Sequence, residues 1–229
     1  MMKKAVPILT EGDNVFGRVH YTTGHSGKME GLISLSTDIN SNPLCQARMK
    51  IRGAVCQHCF SEKIWDDDHG RYRNGNDSYK VNAKILSKHL LTDDEIPYIN
   101  YKKWPLFRFE AFGDLRSVLQ VLNFWRIAQK NPKVHFALFT KNPGFVSRAL
   151  RLVKKPDNVQ IVLSSLFLNR QARGNFPFVD KIFTVYDKDF IARNKIEINC
   201  GAKSCLGCQR CYRPNPDGQR VQQIREQVK

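Results

Sequence analysis

The sequence predicts an α/β protein: a partial (β/α) barrel of about five to six parallel strands, with cysteine-rich loops over the C-terminal mouth of the sheet. Three observations lead there. From residue 105 the chain repeats a strand-like run, a helix-like run and a short connection, which is the pattern of βαβ units. These units number about six at most, too few for a closed eight-unit barrel. Seven cysteines fall in two groups, three between residues 45 and 59 and four between 200 and 211, with none in between.

Residues 1–30 are polar and punctuated by glycine, with a short strand-like VFGRVHY, and read as a segment covering the barrel of residues 31–199. GLISLST (31–37) alternates apolar and small polar residues as a buried strand does. The first cysteines follow on a long loop beginning DINSNPLC. WDDDHGRYRNGNDS (65–78) is turn-rich, and its aspartates at 66–68 read as a solvated turn rather than a metal site. YKVNAKILSKHLL has helical spacing from Val81 through Ile85 to Leu90. PLFRFEAFGD is then a strand ending in a Gly-Asp turn, and LRSVLQVLNFWRIAQK (115–130) a helix. KVHFALFT is a strand closed by Lys141-Asn142-Pro143-Gly144, and FVSRALRLV a helix. NVQIVLSS, KIFTVYD (181–187) and KIEIN (195–199) are further strands, the last delivering the chain to Cys200. Residues 200–229 form a cysteine-rich segment and a basic tail, which opens on Pro and Gly breakers and ends as a polar helix.

With 229 residues, 41% of them hydrophobic, the chain can bury a substantial core. No apolar run approaches the roughly 20 residues of a membrane span, and MMKKAVPILTEGD lacks a secretory pattern, so the expected location is the cytoplasm. Thiols stay reduced there, which argues against a disulfide framework. The balance of 37 Lys and Arg against 21 Asp and Glu gives a net charge of +16. That excess favours a polyanionic partner, nucleic acid first and a nucleotide or anionic cofactor second. A merely solvated basic surface explains it equally well, and no compact RNA-binding signature stands out.

The C-terminal cysteines, Cys200, Cys205, Cys208 and Cys211, read C-x4-C-x2-C-x2-C; the N-terminal ones, Cys45, Cys56 and Cys59, read C-x10-C-x2-C. The continuous C-terminal run is closer to an iron–sulfur ligand run than to separated zinc knuckles, with zinc as the alternative metal. The N-terminal set has only three thiolates, so a [4Fe–4S] cluster held there keeps one iron open unless His58 or Cys200 closes it. In parallel α/β folds reactive residues gather at the carboxyl ends of strands. Those ends carry Glu110 with Gly113-Asp114, Lys141, Ser164-Ser165 and Tyr186-Asp187. Each also has a plain structural reading, as a turn, an N-cap or a solvated lysine.

With the strands so placed, the chain resembles a radical-SAM-type barrel, in its three-cysteine loop after the first strand and its Gly-Asp turn after the second. It is also similar to the phage family called gene product 88, through CQHCF, FEAFGDL, FTKNP and CLGCQRCY, from about Gly31 to Tyr212. The radical-SAM resemblance implies S-adenosylmethionine on the open iron, with Gly113-Asp114 at its amino group, Lys141 at its carboxylate, and Glu110 and Ser164 as further cofactor contacts. It implies catalytic roles for Lys141 and Asp114 and an electron donor as partner, while the similarity to the phage family implies the host cytoplasm as location. Ten residues separate Cys45 from Cys56 where radical-SAM sequences carry three, so the resemblance implies a cluster and a fold more than a reaction. The alternative class is a non-catalytic nucleic-acid-binding protein with structural metal sites.

Overall fold

A computed structural model describes residues 8–9, 15–16, 19–62, 65–66, 71–72, 77–174 and 176–228. In chain order its strands are β1 (Ile8–Leu9), β2 (Val15–Phe16), β3 (Val19–His20), β4 (Thr22–Thr23), β5 (Ile33–Leu35), β6 (Trp65–Asp66), β7 (Arg71–Tyr72), β8 (Tyr98–Ile99), β9 (Leu106–Phe109), β10 (His135–Thr140), β11 (Val159–Ser164), β12 (Lys181–Tyr186) and β13 (Gln222–Gln227). The α-helices are α1 (Pro43–Met49), α2 (Ser78–Lys88), α3 (Val118–Lys130), α4 (Pro143–Ala149), α5 (Lys188–Asn194) and α6 (Cys205–Cys208). Asp67 and Asp68 of the expected solvated turn lie outside the described residues.

Seven strands form one sheet in the order β13-β12-β11-β10-β9-β5-β4. β5, β9, β10, β11, β12 and β13 run parallel, and β4 lies antiparallel on β5. Each parallel strand therefore joins the outer edge of its predecessor, with no point at which the order reverses. That winding differs from a doubly wound sheet, which reverses at a switch point. The sheet is open, with β4 and β13 as its edges, so the expected partial barrel is realised as an open, mostly parallel sheet.

Alternation along the strands separates two faces. Ile33, Leu35, Phe107, Phe109, Phe136, Leu138 and Ile161 turn toward α2, α3 and α4 and form the main core with Leu86, Phe124, Trp125 and Val146. Phe109 stacks between Phe124 and Phe136, at centroid separations of 4.3 and 5.1 Å. The other face carries Leu106, Ala137, Phe139 and Val162, and is covered by Leu32, Tyr212 and the partly buried Cys205, Leu206 and Cys211.

Three elements depart from the sequence reading. KIEIN forms no strand. Instead Asn199 lies along the outer edge of β13, accepting from Arg225 N at 2.9 Å and donating to Gln223 O at 2.9 Å. The expected tail helix is β13 itself, paired with β12 from Lys181↔Gln222 to Tyr186↔Gln227. Its polar residues suit an edge strand, while Ile224 alone of them is fully buried. The front loop contains α1, because Asn42 caps Leu44 N at 3.0 Å and Pro43 opens the helix.

Candidate functional site

At the carboxyl ends of β5 and β9 the chain builds a frame around Glu110. The first residue past β9, it is 3% exposed and held at φ 56°, which a non-glycine residue adopts only under constraint. Its carboxylate accepts from Thr37 Oγ1 at 2.9 and 3.0 Å, from Thr37 N at 3.2 Å and from Gln120 Nε2. Burial pushes its pKa well above the ordinary carboxylate value; the Thr37 bonds oppose this and nearby Asp114 adds to it. Gly113, at φ 83°, closes the frame, since a Cβ there would lie 2.4 Å from Thr37 O and 2.9 Å from Glu110 Oε2.

Asp114 is the hub that joins three loops. Its Oδ1 accepts from Leu115 N at 2.7 Å and Thr140 Oγ1 at 2.5 Å, and its Oδ2 accepts from Lys141 N at 3.0 Å and pairs with Arg48 at 3.2 Å. Its carbonyl accepts from Asn42 Nδ2 at 2.8 Å. Arg48 also donates to Lys141 O at 2.8 Å and Asn142 Oδ1 at 2.5 Å. The α1 loop bearing Cys45 is thereby tied to the ends of β9 and β10. Both oxygens of Asp114 are taken up by protein donors, so in this arrangement it positions loops.

The N-terminal thiols sit at this mouth. Burial raises the pKa of Cys45, with Asp114, Glu110, Cys59 and Cys56 adding to the shift. Burial also raises that of Cys56, against the fields of Lys141 and Arg48. Val55 N donates to Leu166 O at 2.9 Å and Ala54 bridges Phe167, so the Cys56 turn is fastened to the loop after β11. Between that loop and the end of β10 opens a cleft of about 390 Å3, lined by Arg48, Lys141, Ser164, Phe167, Arg170 and Arg173 among others. Lys141 and Ser164 thus face one cavity. Ser165 instead accepts from Ala172 N at 2.8 Å and meets Thr184 Oγ1 at 2.8 Å, holding the cleft wall. Asp187 accepts from Phe190 N at 2.7 Å as the N-cap of α5.

The C-terminal thiols occupy a different place from the expected mouth. Cys205 and Cys211 pack on the sheet face opposite the helices, because Leu206 and Tyr212 beside them bury against Leu32, Leu106 and Phe139. Burial pushes the Cys211 thiol up to about 12, with Cys200, Cys205 and Cys208 adding and Arg108 opposing. Arg108 stacks on Phe139 with its Cζ 3.6 Å from the ring centroid, and its buried Nε has no hydrogen-bond partner. Cys200 N donates to Arg225 O at 3.0 Å, and Lys28 Nζ lies 3.8 Å from Cys200 Sγ. Cys200 therefore belongs with the C-terminal set rather than completing the N-terminal one.

All seven cysteines are free thiols. Among the described residues no three His, Cys, Asp or Glu side chains stand in metal-ligating geometry. In kind and number the donors still fit a soft metal: thiols only, three in one set and four in the other, with a cation beside each. Sequence reasoning missed Thr37, Arg48, Arg108, Gln120, Arg170 and Arg173. The one signal for any of them is the basic RQAR (170–173), separated by four residues from the expected strand NVQIVLSS.

These features define an α/β protein with a parallel sheet wound in chain order, a buried polar frame at its carboxyl mouth and two separate thiol sets. The gene product 88 model matches residues 9–227, and the chain belongs to that phage family. No curated protein and no solved structure matches it, so the radical-SAM resemblance rests on sequence motifs alone. Among the described residues no helix is long and apolar enough to cross a membrane.

Proposed function

We propose that the chain is an iron–sulfur protein, with one [4Fe–4S] site on Cys45, Cys56 and Cys59 at the sheet mouth and a second on Cys200, Cys205, Cys208 and Cys211. The observation that carries this reading is the grouping of unbridged thiols into two sets, with Arg48 and Lys141 beside the first and Arg108 beside the second. Thiolates and an anionic cluster are stabilised by such charges, and Arg108 faces no carboxylate in any ion pair among the described residues.

A cluster on Cys45, Cys56 and Cys59 would supply one-electron chemistry at this mouth. In the enzyme form of this reading S-adenosylmethionine would be held beside that set, with Lys141 toward its carboxylate and Ser164 on the cleft wall. The chain's own contribution is positional. Asp114 and Arg48 fix the α1 loop, Glu110 and Gly113 fix the turn beneath it, and the Val55–Leu166 bond sets Cys56 beside the cleft. Reconstitution without oxygen tests the reading: it predicts a brown protein with about eight iron and eight sulfide per chain. A colourless protein with stoichiometric zinc contradicts it.

A further inference from the structure

Among the described residues, the cleft between the end of β10 and the loop after β11 carries four cationic side chains, Arg48, Lys141, Arg170 and Arg173, and no acidic one. Arg48 is committed to Asp114. Lys141, Arg170 and Arg173 have no ion pair among the described residues. Arg170 stacks its guanidinium on Phe167, with Cζ 3.9 Å from the ring centroid, which fixes its plane and leaves its edge donors open. Three uncompensated cations around one cavity repel one another, and a ligand that neutralises them gains accordingly.

We infer that this cleft binds a nucleoside polyphosphate. A single carboxylate neutralises one of the three charges, whereas a di- or triphosphate matches all of them and offers the paired oxygens that guanidinium forks recognise. Beside the polar Ser164 and Gln171, the lining includes Leu163, Leu166, Phe167 and Phe176, an apolar and aromatic wall of the kind a planar base requires. At about 390 Å3 the cavity falls within the range of small-molecule sites. The same 170–173 segment walls a second cavity of about 420 Å3 that reaches Tyr186 and Phe190, which gives a ligand longer than the first cleft a direction in which to extend. The inference uses no metal, stands whether or not the thiols hold one, and gives Lys141 a phosphate partner in place of the carboxylate that the enzyme form of the proposed function assigns to it.

Calorimetric titration of the reduced full-length chain with ATP, adenosine, inorganic tripolyphosphate and a 12-residue oligothymidylate tests it. Binding of ATP is expected, with competition by tripolyphosphate, no measurable heat from adenosine, and a loss of at least about tenfold in Arg173→Gln and in Lys141→Gln. Lys154→Gln, at an exposed lysine paired with Asp157, is the control and should leave affinity unchanged. Thermal melts confirm that each variant folds. Absence of ATP binding, equal loss in Lys154→Gln, or binding of the oligothymidylate that ATP does not displace would each overturn the inference, the last in favour of a nucleic-acid surface.

Discussion

Gly113 is the most constrained position at the mouth, since both its positive φ and its contact with the Thr37 carbonyl forbid a side chain. Gly113→Ala is expected to cost about 2–3 kcal/mol, read as a lowered urea midpoint at unchanged slope. Glu110 gives a pH signature. Its folded-state pKa lies above its unfolded value, so the stability attached to it is whole below the ordinary carboxylate value of about 4.5 and is lost as pH rises through the range above that toward the folded pKa. Glu110→Gln removes this loss. The stability difference between variant and wild type should therefore shift toward the variant as pH rises above the ordinary carboxylate value; a difference that stays flat with pH would mean that burial does not govern this carboxyl group.

β13 is the element on which the C-terminal half depends, because it covers β12 as the edge of the sheet and gives residues 199–200 their seat. Ile224→Ala removes its buried anchor and should cost about 3 kcal/mol, visible as a lower Tm. Deleting residues 222–228 should in addition loosen Cys200, shown by faster alkylation of that thiol. The sequence announced β9 through β12 clearly, since buried parallel strands read as apolar runs. It concealed β13, where QQIREQ carries one apolar residue and pairing with β12 overrides composition. α1 lies inside the stretch expected as a long loop beginning DINSNPLC, because Asn42-Pro43, which caps and opens the helix, suits a turn equally well. At the site, Glu110, Gly113, Asp114, Lys141 and Ser164 were legible as residues at strand ends. What they do was not, because Asp114 acquires its role only through Arg48 and Thr140, which lie 66 and 26 residues away.

Taken together, the fold separates the two thiol sets: one at the carboxyl mouth, the other across the face opposite the helices. If they are independent sites, loss of one leaves the other loaded. On the proposed reading the excess of positive charge over the chain would serve two anionic clusters and the cleft lined by Arg48, Lys141, Arg170 and Arg173. The decisive measurement is iron and sulfide per chain after anaerobic reconstitution of wild type, of the Cys45/Cys56/Cys59→Ala triple variant and of the Cys205/Cys208/Cys211→Ala triple variant. Two independent [4Fe–4S] sites predict about eight iron for the wild type and about four for each variant. Loss of all iron in either variant, or a wild type that takes up only zinc, would contradict the account.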